Sequence, residues 1–166
     1  MNDRELMEKV VKGWRSTETP CGAGSELRNT TNVRSSLLEI VKKYKVKTVV
    51  DAGAGDLNWM KHMEWDVQYQ GYDLYPRHES VIQFDLTKET LPKSDLILCR
   101  HVLNHLSPDY AQKCIDNFSK SESKYLAVTN CDRQREMWQI TGLELIDTFL
   151  DFDHKRNNWE LEIYKL

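Results

Sequence analysis

One stretch constrains the fold more than any other: Thr48-Val49-Val50-Asp51-Ala52-Gly53-Ala54-Gly55-Asp56-Leu57-Asn58-Trp59. Val46 to Val50 is β-branched and mostly apolar, the pattern of a buried strand. It runs into Asp51 and a Gly-Ala-Gly turn, where glycines permit a sharp bend and a close approach of ligand to backbone. Asp56 to His62 then suits a helix start, with Asp56 near its N-terminus. Strand, glycine turn and helix together form the ligand-binding entrance of a doubly wound α/β sheet.

The residues around the turn select the ligand. A dinucleotide fingerprint needs a third small residue where this chain has Asn58. Two carboxylates, Asp51 and Asp56, flank the turn; they would repel a pyrophosphate but suit a ligand carrying an ammonium and a sulfonium. S-adenosylmethionine is such a ligand. In Asp51, Gly53 and Gly55 the sequence resembles the class I S-adenosylmethionine-dependent methyltransferases, whose first motif ends a strand with an acidic residue and Gly-x-Gly.

Further elements extend the likeness. Val67 to Tyr72 reads as a second strand ending at Asp73, 22 positions beyond Asp51 and near the offset of a ribose-binding acid. Its carboxylate would accept from both ribose hydroxyls; the plain alternative is a turn or helix cap. Val81 to Phe84 is a short third strand closed by Asp85-Leu86. The resemblance implies that Asp85 takes the adenine amino group and the Leu86 N–H a ring nitrogen; otherwise Asp85 caps the Thr87-Lys88-Glu89 turn. Asp95 to Cys99 is the fourth strand, followed by Arg100-His101-Val102-Leu103-Asn104-His105-Leu106. An acidic-apolar strand leading into a Val-Leu-x-His-Leu helix is similar to the same region of small-molecule methyltransferases. It lacks the Asp/Asn-Pro-Pro-Tyr/Phe motif of enzymes acting on DNA bases, so no DNA partner is expected.

Asp109 to Lys120 reads as a helix with Cys114, Ile115 and Phe118 inward, and Tyr125 to Thr129 as the fifth strand. Asp132 to Gly142 is a short connection. Leu143 to Phe152 and Trp159 to Leu166, joined by Asp153 to Asn158, read as a β-hairpin. The expected class is therefore α/β. The resemblance implies a doubly wound, mostly parallel seven-stranded sheet of order 3-2-1-4-5-7-6 with a C-terminal antiparallel hairpin and a helical N-terminal cap. That cap spans residues 1–45 and the cofactor-binding core residues 46–166. Within the cap, Leu6, Val10 and Trp14 form one helical stripe, Ser16 to Ser25 is a loop, and Asn29 to Tyr44 is a second helix. Thr30, Thr31 or Asn32 is placed to cap that helix, whose buried face is Val33, Leu37, Leu38, Ile40 and Val41. In the resembled family such caps commonly sit over the active site. Gly22-Ala-Gly-Ser25 with Arg34, Gly55-Asp-Leu-Asn-Trp59 and Thr129-Asn-Cys131 look like a compact subset of these proteins, in which the segment after the fifth strand is usually longer.

Cofactor contacts are thus expected from Asp51, Gly53, Gly55, Asp56, Asp73, Asp85, Leu86 and Arg100, with S-adenosylmethionine as donor and S-adenosylhomocysteine as product. The transfer needs in-line alignment, exclusion of water and, for a hydroxyl or protonated amine acceptor, a base. Arg100 or His101 should face the methyl donor, with His101 the candidate base and Asn130 placed to orient the acceptor through its amide; otherwise His101 is a helix-start residue against cofactor or solvent and Asn130 a turn residue. His101 and His105 would share a helical face, but no Glu-x-x-His pattern or third ligand accompanies them, so no metal is expected. An arginine of the cap (Arg15, Arg28 or Arg34, near Trp14 and Ser25) could grip a carboxylate or phosphate of an anionic acceptor; otherwise these are ordinary surface arginines. Trp59 reads as packing.

Composition narrows the class without naming a substrate. The 166 residues, 40% hydrophobic and 30% charged, suit one soluble domain with a single sizeable core. No apolar run approaches the ~18 residues of a membrane span. The charged N-terminus lacks a signal-peptide h-region, so a cytoplasmic protein is expected. Cys21, Cys99, Cys114 and Cys131 are widely spaced, which suits reduced thiols. Residues 1–50 carry ten Lys/Arg against six Asp/Glu, while the remainder carries thirteen against twenty. No basic block marks a nucleic-acid module. The leading expectation is a methyltransferase, a transferase acting on a small molecule. RNA or protein as acceptor, a non-catalytic cofactor-binding protein of the same fold, and other chemistry on the same cofactor stay open.

Overall fold

Apolar and β-branched segments make the strands, and their pleat divides the core between two faces. The computed structural model describes residues 5, 8, 12–14, 16–131, 135, 139–154 and 157–166. Its strands are β1 (Thr48–Ala52), β2 (Gln68–Asp73), β3 (Ile82–Gln83), β4 (Leu96–Cys99), β5 (Tyr125–Asn130), β6 (Glu144–His154) and β7 (Asn157–Lys165). They form one sheet of order β3-β2-β1-β4-β5-β7-β6, as expected. β1 to β5 are parallel; β7 runs antiparallel to both β5 and β6.

Every residue of β4 is buried, which is why Leu96-Ile-Leu-Cys99 shows no polar alternation. Successive side chains point to opposite faces. Val50, Ala52, Ile97, Cys99, Leu126 and Val128 meet Cys114, Ile115 and Phe118 of α2 (Pro108–Lys120). Val49, Leu96, Leu98, Ala127, Leu161 and Ile163 meet Val33, Leu37 and Ile40 of α1 (Thr31–Lys43). Each fully buried large apolar side chain here contributes roughly 1.5–3 kcal/mol. Pro108 at the first position of α2 and Asp109 in its first turn are favourable there. The helix stops where Glu122 turns left-handed, at φ 57°, while the Ser121 hydroxyl donates to Phe118 O.

Several expected local features are different. α1 is a sheet-covering helix, not a cap over the site. Ser36 Oγ donates to Leu150 O at 2.7 Å, and Lys43 Nζ and Tyr44 OH reach the Asp147 carboxylate at 2.5 and 2.8 Å. Thr30 occupies the position before α1 but makes no capping bond, because its hydroxyl donates back to Leu27 O. After the glycine turn no helix forms from Asp56; Gly55 (φ 60°) and Leu57 (φ 58°) are both left-handed, and only a single 3-10 turn, Met60–His62, follows. Likewise β4 leads into one 3-10 turn, Leu103–His105, and His101 itself has φ 52°. His101 and His105 therefore share no helical face. Leu6, Val10, Arg15 and most of the connection after β5 lie outside the described residues. Among the described residues, no helix is long and apolar enough to cross a membrane.

The hairpin carries two register shifts, one between Leu150 and Phe152. Leu150 pairs with Glu160 and Phe152 with Trp159, so Asp151 is the extra residue of a bulge. Bulges re-aim side chains, and this one turns Asp151 fully inward, at 0% exposure.

Candidate active site

The parallel strands end along one edge, and the residues that follow them meet in a cavity of about 370 Å³. Asp51 of β1, Asp73 of β2, Asp85 after β3, and Arg100 and His101 after β4 all line it. Phe152 and Trp159 close the hairpin side, and Cys21 to Ser25 lie across the opening with Trp14. The loop, not α1, is what covers the site.

The glycine turn is built by hydrogen bonds across the sheet edge. Gly53 and Ala54 N–H donate to Tyr72 O at 2.8 and 3.1 Å. Gly55 N–H donates to Asp73 Oδ2 at 2.9 Å. Gly53 has φ 103°, and a Cβ there would stand 2.2 Å from Val102 Cγ2. Gly53→Ala is therefore expected to cost roughly 2–4 kcal/mol, from a left-handed backbone plus overpacking. Guanidinium unfolding of the two proteins measures it.

The four carboxylates differ in how far they are engaged. Tyr69 OH donates to Asp51 Oδ2 at 2.6 Å. Burial nonetheless pushes the Asp51 carboxyl up to about 7; the Tyr69 bond opposes the rise, Asp73 adds to it and Arg100 reduces it. Asp73 accepts from Gly55 and, on its other oxygen, from Tyr75 N–H at 2.8 Å, leaving lone pairs on both oxygens. Asp56 accepts from Thr19 Oγ1 at 2.7 Å and Asn58 N–H at 3.1 Å. It thus ties the covering loop to the turn, in place of starting a helix. Asp85 closes the turn that follows it, accepting from Thr87 Oγ1 at 2.6 Å and pairing with Lys88 at 3.0 Å. Burial alone would raise its carboxyl, but Thr87 and Lys88 together hold it below the usual range. Leu86 is buried beside it, its carbonyl accepting from Asn117 Nδ2 at 2.9 Å.

Arg100 is buried and held on three sides. Its Nε donates to Asp151 Oδ1 at 2.8 Å and its Nη1 to Gly24 O at 2.8 Å, while its guanidinium lies 5.4 Å from the Trp59 ring centroid. Asp151 also accepts from Thr129 Oγ1 at 2.7 Å and stands 3.6 Å from His101 Nε2. Burial, with the Arg100 charge acting in the same direction, pulls the His101 imidazole down to about 3. It is neutral at ordinary pH, and its ring meets Trp159 edge-on at 4.8 Å.

Asn130 is not brought to the cavity. Its Nδ2 donates to Glu162 Oε2 and its Oδ1 accepts from Cys131 N–H, both at 2.9 Å. This fixes the β5–β7 seam and leaves the amide facing away from any acceptor. Arg28 pairs with Glu26 and Arg34 donates to Leu27 O, so neither lines the cavity. Sequence reasoning missed Tyr75, Asn104, Asp151 and Trp159. Only the unusual Leu150-Asp151-Phe152 run, a carboxylate inside an apolar strand, hinted at one of them.

The cavity also collects unsatisfied polarity. Tyr75 OH, Arg100 Nη2, His101 Nε2 and Asn104 Oδ1 are buried without a hydrogen-bond partner, and all four residues line it. Buried polar groups are otherwise almost always paired, so this set is suited to a polar ligand. Four carboxylates and these atoms fit a ligand with a cationic end and several hydroxyl and amino groups.

No protein-family model matches the chain, and no curated protein matches it. Solved structures do. Magnesium protoporphyrin IX methyltransferase from Synechocystis PCC 6803 is 13% identical, with a TM-score of 0.64 over 100% of this chain and 98% of that one. The methyltransferase domain of bacterial CtHen1 is 13% identical, with a TM-score of 0.62 over 81% and 97%. The N-methyltransferase NodS from Bradyrhizobium japonicum WM9 is 14% identical, with a TM-score of 0.60 over 80% and 93%. With the sheet order and the antiparallel last pair, these likenesses establish the architecture: the chain has the class I, Rossmann-like methyltransferase fold.

Proposed function

We propose that the chain is an S-adenosylmethionine-dependent methyltransferase acting on a small-molecule acceptor. The observation that carries this reading is the convergence of Asp51, Asp73 and Asp85, from three successive strands, on one cavity that also gathers the unpartnered polar atoms. The Synechocystis enzyme was solved with bound SAM and NodS with S-adenosylhomocysteine, which supports the same ligand here.

When bound, the cofactor supplies an electrophilic methyl group on a sulfonium sulfur. The chain's own residues bind and orient. Asp73 has lone pairs for the ribose hydroxyls, and its hold on Gly55 N–H fixes the turn against them. Asp51 offers negative charge to the ammonium end, helped by Asp56 beyond the turn. Gly53 and Gly55 let the turn close under the covering segments, since a Cβ at either would meet Val102 or Cys21. Asp85 and Leu86 form the adenine end, Asp85 being oriented by its own Thr87 turn. Arg100 is a rigid wall between cofactor and covering loop through Gly24. His101, in the tautomer whose Nε2–H faces the Asp151 carboxylate at 3.6 Å, keeps the Nδ1 lone pair for an acceptor.

Isothermal titration with S-adenosylhomocysteine tests the reading. Saturable binding is expected, and Asp73→Ala weakens it at least roughly tenfold, since charge-assisted bonds are worth roughly 1.5–3 kcal/mol. Absence of heat at millimolar ligand overturns the proposal.

A further inference from the structure

Sheet order gives the cavity two chemically distinct ends. Asp85, Asp73 and Asp51 follow β3, β2 and β1 at one end, where the carboxylates lie. Beyond β4 the lining changes to Trp14, His101, Asn104, His105, Phe152 and Trp159. Trp14 packs on the His105 ring at 5.3 Å and Trp159 on the His101 ring at 4.8 Å. Burial lowers both imidazoles below their usual range, so both rings are neutral.

Formal charge is compensated at this end. Among the described lining residues there, Arg100 is the one cation, and Asp151 neutralises it at 2.8 Å. An anion would find the Arg100 charge already paired, and a cation would find the one nearby carboxylate, Asp151, fully buried and engaged by Arg100 and Thr129. The unpartnered atoms nearby are a donor, Arg100 Nη2, an acceptor, Asn104 Oδ1, and His101 Nε2, which faces the Asp151 carboxylate at 3.6 Å. Flat apolar rings with a few neutral hydrogen-bonding atoms select a flat, uncharged molecule.

We infer that the methyl acceptor is a neutral planar aromatic compound whose nucleophile is a hydroxyl, seated against Trp159 and Trp14 with that hydrogen directed at His101 Nδ1. This rests on the cofactor reading above. The acceptor's lone pair forms the bond to the methyl carbon as the carbon–sulfur bond breaks with its electrons to sulfur, and the displaced proton passes to Nδ1, the Nε2–H facing Asp151 at 3.6 Å. So weakly basic an imidazole cannot deprotonate an alkylammonium. It suffices for a hydroxyl, which becomes strongly acidic as the methyl arrives.

Saturation-transfer NMR on the full chain, saturated with S-adenosylhomocysteine, tests the inference with naphthol, naphthoate and cyclohexanol as probes. Naphthol should bind, with naphthoate and cyclohexanol each weaker by roughly tenfold or more. Trp159→Leu should weaken naphthol roughly tenfold while Trp159→Phe keeps most of the affinity. Equal or tighter binding of naphthoate, or naphthol binding unchanged in Trp159→Leu, overturns the inference. Titration of S-adenosylhomocysteine alone separates the two readings. If it binds and naphthol does not, the acceptor class is wrong and the cofactor reading stands. If it does not bind, both fall.

Discussion

Replacing Asp151 by alanine is expected to lower folding stability by roughly 3–5 kcal/mol, the cost of leaving a buried cation without its partner. Asp151 is 0% exposed and Arg100 7%, so water reaches neither group readily. The carboxylate also accepts from Thr129 Oγ1, and that hydroxyl in turn takes the His101 N–H at 3.3 Å. One side chain on the hairpin thus joins β4, β5, β6 and, through Arg100 and Gly24, the covering loop. Asp151→Asn keeps an acceptor but removes the compensating charge, and should still lose a large share of the stability. The pair Arg100→Met with Asp151→Leu removes both charges together and should recover much of what either single change loses. Guanidinium unfolding of the parent, Arg100→Met, Asp151→Leu and the double variant measures this cycle, with Asp151→Ala and Asp151→Asn run beside it. A loss below about 1 kcal/mol in Asp151→Ala would mean that Arg100 is solvated or paired elsewhere.

The Arg100–Asp151 pair also marks where sequence reading stops. The strands were legible because Asp51, Asp73 and Asp85 each end a short apolar run, and a glycine turn follows the first; the family resemblance those residues carry implied the strand order. The last two runs, near-contiguous and separated by Asp153 to Asn158, could only be a hairpin. Local periodicity reports burial and direction, and the sheet is made of both. It does not report a left-handed residue such as Leu57 or His101. There the helix expected after a motif is replaced by turns because Asp56 and Thr129 hold the backbone through their side chains. Nor does it report partners 51 residues apart, joined only because a bulge turns Asp151 inward. Asn130 shows the converse. Its place at a strand end looked functional, yet Glu162 on the neighbouring strand takes its amide.

Asp51→Asn is expected to stabilise the ligand-free protein while weakening its hold on S-adenosylmethionine. Burial is the chief reason the Asp51 carboxyl titrates near about 7 in the fold, against about 4 in an unfolded chain. The folded state therefore binds this proton more tightly than the unfolded state. No penalty arises below about pH 4; stability is lost as pH rises from there through 7, and the loss then levels off. Three units correspond to a penalty on the order of 4 kcal/mol, at about 1.4 kcal/mol per unit. The amide carries no charge and still accepts from Tyr69 OH, so the variant should match the parent near pH 4 and exceed it above pH 7. Paired denaturation curves at those two pH values isolate Asp51, because every other titrating group is common to both chains. A cationic ligand reverses the preference. It favours the ionised carboxylate, so affinity in the parent should rise with pH through about 7 and stay flat in Asp51→Asn. A pH-independent stability difference would place Asp51 in a more solvated setting than its 4% exposure implies. A flat parent affinity would mean that the ligand's positive end lies away from β1. The same buried charge that destabilises the empty fold is what makes the end of β1 attractive to a cation.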